Sequence, residues 1–76
     1  MTIVDWSDNF SENLVELMKD RGMTQFDLAQ ESGIAVGSIN AYLHKKSLPG
    51  IKAIINIAFA LDVDVGELID FGDTID

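Results

Sequence analysis

The sequence predicts an all-α fold of five short helices in one domain, and three observations predict it. Apolar residues recur at helical spacing along successive stretches. Gly22, Gly33 and the Pro49-Gly50 pair fall between those stretches, where they end or start helices rather than separate domains. Two polar pairs three residues apart, Thr24 with Asp27 and Asp64 with Glu67, have the form of helix N-terminal capping boxes. A chain of 76 residues buries only about 60% of the surface its unfolded form exposes, so it supports one core and one domain over residues 1–76.

The elements follow in order. Phe10, Leu14, Leu17 and Met18 stand at i, i+4, i+7 and i+8 and make the apolar face of a first helix, after a short tail over residues 1–7. Asp8, Glu12, Glu16 and Asp20 form an acidic ridge opposite, read as a solvated outer face. A second helix of about two turns starts at Gln25 behind Thr24, carries Phe26, Leu28 and Ala29, and stops at Gly33. Ile34 occupies the turn, and Val36, Ile39, Tyr42 and Leu43 mark a short third helix that ends before Lys45 to Gly50. In the fourth helix, Ile51, Ile54, Ile55, Ile57, Ala58 and Leu61 wrap most of the circumference, which predicts the buried centre of the domain. Asp64 and Glu67 then open a short fifth helix through Leu68 and Ile69 towards Phe71, followed by a tail over 72–76.

Composition excludes several classes. The absence of Cys removes disulfides, thiolate metal sites and a thiol nucleophile, and fits a cytoplasmic setting. The longest apolar run, Ala53 to Leu61, is interrupted by Asn56 and is far short of the roughly 20 residues that cross a membrane. No signal peptide is visible at the N-terminus. No nucleophile-base pair, phosphate-cradling Gly loop or metal-ligand cluster is present, so neither an enzyme nor a cofactor is expected, and the lone His44 is not read as a metal ligand.

The net charge of −8 is unusual for a nucleic-acid binder, yet it is unevenly placed. All 13 acids lie in residues 1–31 and 62–76; Ser32 to Leu61 hold Lys45, Lys46 and Lys52 and no Asp or Glu. That window is either the surface that approaches phosphate without repulsion or simply the core-rich middle of the chain. Inside it, residues 24–43 supply two short helices joined by a Gly-containing turn, which is the physical definition of a helix-turn-helix.

Here the sequence resembles the helix-turn-helix domains of phage repressors, Cro proteins and related small bacterial regulators. Gly22-Met23-Thr24-Gln25-Phe26-Asp27-Leu28-Ala29 is similar to that family's G-L-T-Q-x-x-L-A, Ser32-Gly33-Ile34 to its S-G-I turn, and Pro49 to Ala58 to its fourth helix. Leu61-Asp62-Val63 with Glu67-Leu68 matches its closing pattern, so the resemblance covers about residues 10–71. It implies a five-helix, lambda-repressor-like bundle. Many members carry Arg where this chain has Met18 and Glu where it has Leu43, a pair that meets inside the bundle. Both are apolar here, a joint change that leaves no charge stranded.

The resemblance also implies a DNA-binding repressor that inserts its third helix in the roughly 12 Å major groove of an operator, as a homodimer. Bases would be read from Val36, Gly37 and Ala41, none of which has a hydrogen-bonding side chain, with Ser38 and Asn40 beside them. Asn40 is either an adenine reader or a solvent-exposed filler. Backbone contacts fall to Gln25 at the second helix's N-terminus, to His44, and to Lys45, Lys46 and Lys52, the last equally a solubilising surface residue. Leu68, Ile69 and Phe71, with little sequence left to cover them, are the expected dimer surface. The alternative is an acidic module of the same fold whose partner is a protein, favoured by the net charge and the apolar third helix.

Overall fold

The computed structural model describes residues 6–69, which form five helices and no strand: α1 (Trp6–Arg21), α2 (Gln25–Ser32), α3 (Val36–Leu43), α4 (Ile51–Leu61) and α5 (Val65–Leu68). Helix α1 begins two residues inside the stretch expected as a tail; residues 72–76 lie outside the described region. Helix α2 packs on α3 and α4, while α1 lies across α3, α4 and α5. The core is Phe10, Leu14 and Met18 of α1, Leu28 of α2, Ile39 of α3, Ile54, Ile57, Ala58 and Leu61 of α4, and Leu68 with Ile69 at the end of α5. Each large apolar side chain among them stabilises the fold by about 1.5–3 kcal/mol on burial.

Polar side chains on α1 hold the far ends of three other helices. The Ser11 hydroxyl, itself buried, donates to the Tyr42 carbonyl at 2.7 Å, Asn13 Nδ2 donates to the Leu68 carbonyl at 3.0 Å, and Arg21 Nε donates to the Leu61 carbonyl at 2.6 Å. Each acceptor belongs to the last turn of α3, α5 or α4, where backbone carbonyls lack an intrahelical partner. The Arg21 guanidinium also meets the negative end of the α4 dipole. Phe10 adds an edge-to-face contact with Tyr42, the ring centroids 6.2 Å apart.

Two expectations are corrected by this packing. Leu68 is fully buried and Ile69 nearly so, because α1 and α4, which come earlier in the chain, fold back over them. They belong to the core and are closed to a second copy; Phe71 lies outside the described residues. Helix α4 is buried on one side only: Ile54, Ile57, Ala58 and Leu61 face inward, whereas Ile51, Ile55 and Phe59 stand exposed at i, i+4 and i+8. A bundle of two layers covers one face of α4 and has no third layer for the other. Met18 is buried, Leu43 is half-buried, and the two line one cleft with Val15 and Met23. Among the described residues no helix is long and apolar enough to cross a membrane.

Candidate nucleic-acid interface

The interface is built from the start of α2. Thr24 is extended (φ −88°, ψ 171°); its Oγ1 accepts the Asp27 N–H at 3.1 Å, and Asp27 Oδ2 accepts the Thr24 N–H at 3.0 Å. The backbone N–H of Thr24, and secondarily its hydroxyl, hold the Asp27 carboxyl below the usual carboxylate range. This reciprocal cap fixes where the helix begins and sets Gln25 at its first position.

The turn is equally defined by its residues. Gly33 takes the left-handed conformation (φ 74°) and its N–H closes α2 on the Ala29 carbonyl at 2.9 Å; Ile34 N–H donates to the buried Ser32 Oγ at 3.3 Å. Helix α3 starts three residues after Gly33 with no side chain capping its N-terminus. Ile39 anchors α3 in the core, Gly37 is exposed, and Val36, Ser38, Asn40 and Ala41 are half-buried along its length. A Cβ at Gly37 would meet nothing within 4 Å, so its lack of a side chain owes nothing to packing inside the protein.

Two of the sequence candidates are brought together. Asn40 Nδ2 donates to Gln25 Oε1 at 3.2 Å, which joins α2 to α3 through two of the candidate side chains. The Asn40 carbonyl in turn accepts from His44 Nδ1 at 2.9 Å. With Nδ1–H committed there, Nε2 is the ring nitrogen left to meet a ligand.

The lysines are placed separately. Lys45, Lys46 and Lys52 are exposed, the first two just after α3 and the third in the first turn of α4. Glu12 of α1 comes to 3.8 Å from Lys45 Nζ, so the window that is free of acids in the sequence is not free of them in space. An exposed pair of this kind is worth about 0–1 kcal/mol and yields readily to a phosphate. Among the described residues no group of three or more His, Asp or Glu could hold a metal ion.

The pattern that defines Cro/C1-type HTH DNA-binding domains matches residues 13–73. Among solved structures, the restriction-modification controller protein C.AhdI from Aeromonas hydrophila is similar at 28% identity and a TM-score of 0.76, over 79% of this chain and 91% of that one. A LexA SOS-response transcriptional repressor from Eubacterium rectale shares the fold at 22% identity and a TM-score of 0.80, over the whole of this chain and 82% of the other. A transcriptional regulator from Listeria innocua does so at 23% and 0.74, over 87% of this chain and 62% of that one. No curated protein matches the sequence significantly.

Proposed function

From a chain that belongs to the Cro/C1-type HTH DNA-binding domain family, we propose a transcriptional regulator of repressor type that places α3 in the major groove of an operator and binds as a homodimer. The observation that carries the reading is the α2-turn-α3 unit itself, with its capped start, left-handed Gly33 and exposed Gly37 on α3. Similarity to a controller protein at 28% identity supports the regulatory role. With Val36, Gly37 and Ala41 lacking hydrogen-bonding side chains, base selection rests on apolar contact with thymine methyls and on DNA shape, while Gln25, Lys45, Lys46 and Lys52 carry the backbone contacts.

The dimer needs a surface other than Leu68 and Ile69, and the bare stripe of α4 supplies it. Ile51, Ile55 and Phe59 are 67%, 39% and 81% exposed, and Val65 joins Ile55 and Phe59 along one cleft. Together they leave an apolar stripe along α4 uncovered, the kind of exposed patch that marks an interaction surface on a folded domain.

Salt titration tests the DNA reading. Two to three lysines per protomer in a dimer give a slope of log affinity against log salt of about −4 to −5. Changing Lys45 and Lys46 together to Ala flattens the slope and weakens binding on every sequence alike. A flat titration against pooled random duplexes at about 50 mM salt, where attraction is least screened, would overturn the reading in favour of a partner protein docked on the Val36, Gly37 and Ala41 face.

A further inference from the structure

We propose that Asn40 is a positioning residue for Gln25: it holds the Gln25 carboxamide by its oxygen and so turns the amide nitrogen outward as the donor to a DNA phosphate. The inference rests on the DNA-binding reading above. A carboxamide has an acceptor end and a donor end, and an unrestrained Gln side chain samples many rotamers that must be given up on binding. The 3.2 Å bond from Asn40 Nδ2 to Gln25 Oε1 assigns the acceptor end to the protein, which leaves Gln25 Nε2 as the group still available to an anion. Both residues are half-buried, so water competes poorly for the bond, and they lie 15 positions apart on the two helices of the motif. The bond therefore fixes the geometry between helices as well as the amide.

The rest of α3 makes the assignment specific. Its polar side chains are Ser38, Asn40 and Tyr42, and Val36, Gly37 and Ala41 have no group that could bond the Gln25 carboxamide. Asn40 is also joined through its carbonyl to His44, so one residue links two candidate backbone contacts. A side chain used in this way is not aimed at a base edge, and its loss lowers affinity without changing which sequence is preferred.

The test uses the full chain with Gln25→Ala, Asn40→Ala, the double variant and Asn40→Asp, each checked for an unchanged thermal transition. Binding is read by fluorescence anisotropy on pooled random duplexes of about 20 base pairs, long enough for two half-sites, and sequence preference from the duplexes each variant enriches. Gln25→Ala and Asn40→Ala should each weaken binding by about tenfold or more, the size of a lost charge-assisted hydrogen bond. The double variant should be no weaker than the poorer single variant by more than about twofold, since both remove one contact. Asn40→Asp accepts but cannot donate, so it reverses the Gln25 amide and should bind less well than Asn40→Ala. Losses that multiply in the double variant, or an enriched pool whose base preference shifts with Asn40→Ala, overturn the positioning role while leaving DNA binding standing. Failure of the unaltered chain to bind any duplex at about 50 mM salt overturns both readings together.

Discussion

Lys45 carries a backbone conformation that its type disfavours. With φ 60° it follows the α3 cap; its N–H reaches the Tyr42 carbonyl at 3.3 Å and the next N–H, of Lys46, reaches Ala41 at 2.8 Å. Gly22 closes α1 by the same pattern, its own N–H on Lys19 and that of Met23 on Met18, and Asp62 (φ 59°) closes α4 by its N–H on Phe59 and that of Val63 on Ala58. A side chain in this left-handed position costs about 1 kcal/mol relative to Gly. Lys45→Gly and Asp62→Gly should therefore each raise stability in urea unfolding by up to about 1 kcal/mol, less the added freedom of the unfolded chain. Only Lys45→Gly should also weaken DNA binding and flatten its salt slope. If both variants bind DNA like the parent, Lys45 makes no phosphate contact and its conformation has no functional return. The sequence reveals the Gly22 and Gly33 ends because Gly advertises left-handed backbone. Lys45 and Asp62 adopt the same geometry with side chains that give no such signal, so their left-handed backbone is visible only in the fold.

Helices whose ends are set by local chemistry are the ones legible from sequence. The Thr24–Asp27 and Asp64–Glu67 boxes each span three residues, need no distant partner, and fix the starts of α2 and α5 where the spacing places them. Thr24→Ala should lower stability by about 1 kcal/mol, seen as a fall of several degrees in the thermal midpoint. The Asp27 carboxyl adds a pH dependence whose sign is fixed. Its pKa is lower folded than unfolded, so its contribution is fully present above the unfolded value and is lost as the pH falls through the folded one. The stability gap between the parent and Asp27→Asn should thus be constant near neutrality and narrow as the pH falls through the folded-state pKa, on the acid side of the usual carboxylate range. A gap that persists unchanged to pH 2 would mean that the carboxylate charge does not support the cap. What periodicity cannot supply is the neighbour. It counts Ile51 and Ile55 as core alongside Ile54 and Ile57, because nothing local to α4 says which face α1, α2 and α5 will cover. For the same reason a late position in the chain made Leu68 and Ile69 look uncovered, although the helices above them were already in the sequence.

At the scale of the molecule, the charge of −8 and the bare stripe of α4 act against each other. Two copies meeting through Ile51, Ile55, Phe59 and Val65 bring together surfaces flanked by Asp62, Asp64 and Glu67, which border Phe59 along its cleft. Apolar contact draws the copies together and like charge opposes it, and salt screens only the second. Self-association should therefore strengthen as salt rises from about 50 to 500 mM, the range over which the Debye length shrinks from about 14 to 4 Å. DNA binding should weaken over the same range because counterion release dominates it. The two trends have opposite signs and separate the two surfaces in one set of titrations. Phe59→Ser is the decisive variant: Phe59 is 81% exposed, so the change should leave monomer stability within about 0.5 kcal/mol, as for other surface substitutions. It should nonetheless shift the sedimentation equilibrium to monomer at every salt concentration and reduce affinity for a two-half-site duplex towards that of a single half-site. A Phe59→Ser protein that remains dimeric, or a parent chain that stays monomeric at high micromolar concentration in high salt, would remove α4 as the association surface and leave the stripe to a partner of another kind.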